Sequence, residues 1–232
     1  MSQPIKIDFV ALAPVTAQTP PQGAGKRGGK TVAPQTLVIF MGQDFTFGPA
    51  TQTLIGTEGE AMIRRAAGAI KFKAKEQSAL DIVAPSGFIV DRLLVIGTGP
   101  AADEPAKAHG KAAKTSEANV EAVEKPADYV GLGGSVLGKL GAGASALVAF
   151  DLPRPPKDAA AAAAEFAEGM RLRDYKFDLY KTKKKDDDDG AGTDISVAVD
   201  DPAAARREAK GRDAEAEGVV IARTLVNEPA NV

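Results

Sequence analysis

A glycine-rich stretch in the middle of the chain has the residue types that bind phosphate. Residues 133–140 read GGSVLGKL, close to the phosphate-binding loop G-x-x-x-x-G-K-[ST]. The last position of that loop needs a hydroxyl to hold magnesium, and here it is Leu140. Residues 126–130, which precede the stretch, also make a poor buried strand. We therefore interpret residues 133–140 as a glycine-rich helix that packs closely on a sheet.

Two further stretches approach known binding loops. Residues 97–102, GTGPAA, fit the dinucleotide pattern G-x-G-x-x-A after an apolar strand, but no helix with an apolar face follows them. Residues 186–190, DDDDG, suggest a calcium loop. In the register set by Gly190, however, the first ligand would be Lys185 and the last Ser196, and neither fits. The first stretch is interpreted as a strand-ending turn and the second as a solvated hairpin tip.

No catalytic set emerges from the remaining residues. His109 is the only histidine and lies in a low-complexity stretch, so neither a histidine-based metal site nor a triad can be assembled around it. The absence of cysteine excludes disulfides, thiolate metal sites and a cysteine nucleophile. We assign no catalytic residue, no cofactor-binding residue and no metal ligand in this chain.

The composition describes an ordinary soluble chain. Hydrophobic residues make up 44% and charged residues 26%, and the formal net charge is −2. This balance gives no overall attraction to nucleic acid or to an anionic membrane. No apolar run reaches the roughly 18–20 residues of a membrane helix, and the N-terminus lacks the apolar region of a signal peptide. We expect a cytoplasmic protein without a membrane partner.

The pattern of apolar residues predicts an α/β fold, with a sheet flanked by helices on both faces. Short apolar runs predict strands, and segments with helical spacing alternate with them. The predicted strands are residues 5–10, 36–41, 80–83, 92–97, 146–150 and 194–199. The predicted helices are residues 56–70, 129–140 and 158–170, with Asp158 as N-cap, and a last helix from Pro202 to about Leu225.

Two stretches interrupt this alternation. Residues 13–35 are rich in Pro, Gly, Thr, Gln and Lys, and residues 101–127 in Ala, Lys, Glu and Pro. Both are expected to be flexible insertions. We expect residues 1–200 to form one α/β domain, and residues 201–232 to form a long linking helix and the start of a hinge.

Two segments carry a resemblance to a known family. Residues 169–185, GMRLRDYKFDLYKTKKK, resemble the stretch G-x-x-L-x-x-Y-x-F-D-x-Y-K-T-K of leucyl aminopeptidases, the cytosol aminopeptidase family. Residues 222–232, ARTLVNEPANV, resemble the hinge A-R-x-L-V-N-x-P-x-N, where that family's linking helix runs into its catalytic domain. Apart from the family, Tyr175, Phe177 and Tyr180 are expected to place their rings on core faces.

The resemblance implies the non-catalytic N-terminal domain of a metal-dependent aminopeptidase. In the full-length family enzyme, two divalent ions, zinc or manganese, serve the release of N-terminal amino acids from peptides. The sheet domain of the family resembles the macro-domain fold and contributes to a homohexamer. The family's metal ligands follow the hinge, so none is transferred to this sequence, and the chain is expected to end where the catalytic domain begins.

Two alternatives to this interpretation stay open. One is a stand-alone module that binds a nucleotide or ADP-ribose at the strand ends, based on the fold and on the glycines at positions 97, 99, 133, 134 and 138. The other is a DNA-contacting accessory domain that uses Arg171, Arg173 and the lysine-rich residues 181–185.

Overall fold

A six-stranded mixed sheet forms the centre of the molecule. The computed structural model describes residues 5–12, 26–27, 30–31, 34–99, 127–141, 143–177, 180 and 192–228. The sheet strands are β1 (Lys6–Ala11), β4 (Thr36–Met41), β5 (Ala79–Val83), β6 (Arg92–Gly97), β7 (Ser145–Ala149) and β8 (Asp194–Val199). A separate two-stranded hairpin pairs β2 (Lys26–Arg27) with β3 (Lys30–Thr31).

The strand order is β1-β8-β7-β4-β6-β5, and every pair is parallel except β5 with β6. Parallel strands are buried on both faces, which is why β4 reads as an unbroken apolar run with all of its residues buried. The sequence of β8 alternates, as a half-buried strand would, but β8 lies between two parallel neighbours. Even Ser196 is therefore buried, with 7% of its surface exposed.

Four helices cover the two faces of the sheet, which confirms the predicted fold class. Helix α1 (Pro49–Ala69) covers one face, and α2 (Tyr129–Leu140), α3 (Ala159–Asp174) and the first half of α4 (Pro202–Asn227) cover the other. The second face has a core of three phenylalanine rings, from Phe40, Phe150 and Phe166, with mutual centroid distances of 5.1–5.9 Å.

One sequence prediction needs correction here. Helix α1 begins at Pro49 and not at residue 56, because Gly56, with φ +62°, interrupts the helical geometry and hides the first turns from a search for helical spacing. Within residues 13–35, the structure describes the hairpin of β2 and β3, and the expectation that this stretch is a flexible insertion stays a prediction. The predicted insertion 101–127 lies outside the described residues except for Ala127.

Candidate functional site

The carboxyl ends of β4 and β7 are where a ligand would bind in a parallel α/β sheet, next to the N-terminus of a helix. Here the side chain of Asp151, which follows β7, lies at the N-terminus of α1. One carboxylate oxygen of Asp151 accepts a hydrogen bond from the backbone N–H of Thr51 at 2.7 Å. Gly48 lies directly against this carboxylate, since a Cβ on Gly48 would be 2.3 Å from its atoms. The protein's own carboxylate therefore fills the position where a phosphate would bind.

Replacing Asp151 with alanine is expected to lower the free energy of unfolding by about 1 kcal/mol, because α1 loses its only side-chain cap among the described residues. Urea unfolding followed by circular dichroism measures this change. Asp158→Ala is the matched control, since Asp158 caps α3 through the N–H of Ala161 and should cost a similar amount. An Asp151 variant as stable as the wild type would show that the contact does not hold α1.

The glycines at the end of β6 serve a turn, as the sequence predicted. A Cβ on Gly97 would be 2.3 Å from the carbonyl oxygen of Lys75, so only glycine lets the two backbones approach this closely. Gly99, at φ +85°, donates its N–H to the carbonyl of Ala74 at 3.1 Å and accepts from the N–H of Gln43 at 3.1 Å. These backbone groups are thus engaged within the protein and are not presented to a pyrophosphate.

The glycine-rich stretch at residues 133–140 lies inside α2, which confirms that it is a helix. Its apolar side chains join the core over the sheet, but its closest approach is to α3. A Cβ on Gly133 would be 1.9 Å from the carbonyl oxygen of Phe166, and a Cβ on Gly169 would be 1.9 Å from that of Val130. Close helix packing therefore explains Gly133 and Gly169, and nothing in this geometry supports the nucleotide alternative.

The described residues supply no set of metal ligands: no group of three or more His, Cys, Asp or Glu side chains among them could hold a metal ion. His109 and the acidic run 186–189 lie outside the described part of the chain.

Burial raises the pKa of the Tyr129 hydroxyl, and the charge of Glu165 raises it further, while the charge of Arg154 lowers it. Tyr129 therefore stays protonated at neutral pH and is not a candidate general base.

The two segments that carry the family resemblance meet in space, at the ends of α3 and α4. The Tyr175 hydroxyl, just after α3, hydrogen-bonds with Thr224 Oγ1 and accepts from Asn227 Nδ2, both at 3.3 Å. The Arg223 guanidinium donates to the carbonyl of Leu172 at 2.9 Å and lies over the Tyr175 ring, 6.0 Å from its centroid. We call this cluster of Leu172, Tyr175, Arg223, Thr224 and Asn227 the junction.

The first half of α4 is fixed to α3 by ion pairs and small side chains. Arg212 reaches both Glu165 at 2.7 Å and Glu168 at 3.1 Å, and Arg171 pairs with Asp213 at 2.6 Å. The residues of α4 that are buried against the domain are all alanines, which lets the helix approach closely; they are Ala205, Ala209 and Ala216.

Beyond Ala216 the exposed surface of α4 changes from charged to apolar. No residue of the described range 217–228 is buried. Four large apolar side chains are turned to solvent, with exposed fractions from 40% to 85%, and we call them the α4 apolar face: Val219, Ile221, Leu225 and Val226. A helix in a monomeric domain normally buries such residues, so this face indicates a surface that another part of a protein covers.

The remaining residues of the first motif differ from expectation. Tyr180 is 46% exposed and lies edge-on to the half-buried Phe177, with ring centroids 5.8 Å apart, so the expectation that it lies on a core face is wrong. Arg171 forms an ion pair with Asp213, so its charge is already partly neutralised within the protein and is less available to a DNA phosphate. The lysine-rich residues 181–185 lie outside the described residues.

Comparison with known sequences establishes the protein family of this chain. The sequence model of the N-terminal domain of the cytosol aminopeptidase family matches residues 38–184. The chain belongs to the cytosol aminopeptidase family. Among curated relatives, a probable cytosol aminopeptidase of Rhodopseudomonas palustris is 39% identical over 237 residues, covering 100% of this chain and 39% of the relative. That of Methylorubrum populi is 44% identical over 197 residues, covering 84% of this chain and 35% of the relative. The chain thus spans about two fifths of the length of these relatives.

Solved structures agree on the fold. A tomato leucine aminopeptidase mutant superposes with a TM-score of 0.62 at 17% identity, covering 100% of this chain and 40% of that chain. A bottromycin maturation enzyme, BotP, in complex with Mn has a TM-score of 0.54 at 19% identity, covering 86% of this chain and 33% of that chain. In the part of the N-terminal domain that the structure describes, no helix is both long enough and apolar enough to span a membrane.

Proposed function

We propose that this N-terminal domain is the non-catalytic part of a longer metal-dependent aminopeptidase, and that it positions the catalytic part through α4. The observation that carries this proposal is the junction. It fixes the end of α4 to the domain through Tyr175, while the α4 apolar face remains turned to solvent. Residues 1–200 are then the α/β domain, and residues 201–232 are the link.

The activity proposed for the whole protein is the release of N-terminal amino acids, leucine among them, from peptides in the cytoplasm. Two divalent ions, zinc or manganese, would activate the attacking water and hold the substrate. The described residues of this domain do not fit such ions, since they include no cluster of ligands. We therefore assign the ions to the part of the relatives that lies beyond the matched region, and we propose a homohexamer as the assembled form.

The occupant proposed for the α4 apolar face is the polypeptide that follows the N-terminal domain in the relatives. More than half of each relative's length lies outside the match, and α4 is the last helix of the domain described here. Covering four large apolar side chains would stabilise the contact, since each fully buried side chain contributes roughly 1.5–3 kcal/mol. The junction would set the direction in which that polypeptide leaves the domain.

Calorimetry tests this docking. The chain would be titrated with the separately produced remainder of the Rhodopseudomonas palustris relative. We expect a saturable complex, and we expect the double substitution Leu225→Asp with Val226→Asp to weaken it at least tenfold, because two buried charges would be unpaired. Lys210→Glu, on the exposed charged part of α4, is the control and should bind as the wild type does. Equal binding by all three proteins would show that the partner does not use this face.

A further inference from the structure

Helix α4 consists of two parts that are held in different ways. The first part, Pro202 to Ala216, has a capped start, since Asp201 accepts from the N–H groups of Ala203 and Ala204, and it has buried alanines and several ion pairs. The second part, residues 219–227, which we call the arm, has only Val220 and Thr224 half-buried. The hydrogen bonds of the arm with Leu172 and Tyr175, and the contact of Arg223 with the Tyr175 ring, all belong to the junction.

Gly218 lies at the boundary between the two parts. Apart from the neighbouring backbone of α4, no atom lies within 4 Å of the position that its Cβ would occupy, so packing does not require a glycine. Nor does the backbone require one, because Gly218 is not among the described glycines with positive φ. A glycine inside an exposed helix costs about 1 kcal/mol relative to alanine, through its greater freedom in the unfolded state. The sequence thus has a weak point in α4 where contact with the domain becomes sparse.

We propose that the arm opens separately from the rest of the domain, with Gly218 as the weak point and Tyr175 as the residue that holds the arm closed. Local opening of this kind is expected where buried apolar contacts are few and backbone hydrogen bonds are exposed to solvent. The arm carries the α4 apolar face, so a partner that binds this face favours the helical, closed arm. This last consequence rests on the proposed function, but the opening itself does not.

Hydrogen exchange measured by mass spectrometry on the whole 232-residue chain tests the opening. We expect the amides of residues 220–227 to exchange at least tenfold faster than those of residues 206–216. Gly218→Ala should slow exchange in the arm about fivefold, which corresponds to its helix propensity. Gly211→Ala is the matched control, because Gly211 is also in open space within α4 but belongs to the anchored part. It should leave exchange in the arm unchanged.

Tyr175→Phe tests how the arm is held closed. This substitution keeps the ring under Arg223 but removes the hydroxyl that hydrogen-bonds with Thr224 and Asn227. It should speed exchange in the arm about fivefold, as expected for lost hydrogen bonds of about 1 kcal/mol, and leave residues 206–216 unaffected.

Equal protection along the whole of α4, or equal effects of Gly218→Ala and Gly211→Ala on the arm, would overturn the proposal. Because the exchange experiment contains no docking partner, such a result would leave the proposed docking intact. If the calorimetric experiment showed no docking, the proposal that the arm opens separately would still stand.

Discussion

Replacing Phe166 with alanine is expected to lower the free energy of unfolding by about 3–5 kcal/mol, the range for a large aromatic side chain removed from a core. Phe166 is completely buried in α3. Its ring contacts Phe150 at a centroid distance of 5.1 Å and meets Phe40 edge-on at 5.9 Å. The cavity would therefore open between α3 and the two central strands, where neighbouring side chains can relax little.

Urea unfolding of the Phe166→Ala variant measures this loss. Phe72→Ala is the control, because Phe72 is only half-buried, in the loop after α1, and its removal should cost clearly less. A loss below about 1 kcal/mol at Phe166 would show that α3 does not pack on the sheet as described, since even small core truncations cost this much.

The second large effect is expected where α2 and α3 cross. Gly133→Ala and Gly169→Ala should each lower the free energy of unfolding by about 1–3 kcal/mol, because the added methyl group forces the helices apart. Each new Cβ would be 1.9 Å from a backbone carbonyl oxygen of the other helix, and backbone cannot move aside as the end of a flexible side chain can.

Gly134 provides the matched control for this pair. It is the neighbour of Gly133 in α2, but the nearest atom to a Cβ on Gly134 is 3.4 Å away. Gly134→Ala should therefore be tolerated, with a small gain in helix propensity to offset any strain. If Gly133→Ala and Gly134→Ala proved equally stable, the close crossing of α2 and α3 would be wrong.

Much of the fold was predictable because its signals are local. The apolar runs at residues 36–41 and 92–97 are strands because a parallel sheet buries both faces of its strands. Helix α3 was predicted with its N-cap, because an aspartate that precedes an alanine-rich segment is a strong start signal, and Asp158 does accept from the N–H of Ala161. Helix α2 was also predicted with its observed bounds, despite its glycines.

The features that were missed depend on contacts between distant residues. Asp151 caps α1 from 100 positions away, and no local pattern marks such a residue. The family motifs containing Tyr175 and Arg223 were noticed separately, but their contact depends on the crossing of α3 and α4. A signal for the α4 apolar face was present, since the helix changes from charged residues to an apolar run after Gly218, but only the structure shows that nothing in the described domain covers it.

Hydrolysis of a leucine chromogenic amide by the purified 232-residue chain, with manganese or zinc added, examines the proposal that this domain is non-catalytic. A full-length cytosol aminopeptidase under the same conditions is the positive control. We expect the chain to release no product above a protein-free blank, with or without a chelator. Clear turnover that a chelator abolishes and added metal restores would mean that the chain itself holds a catalytic metal site, and would contradict the proposed function.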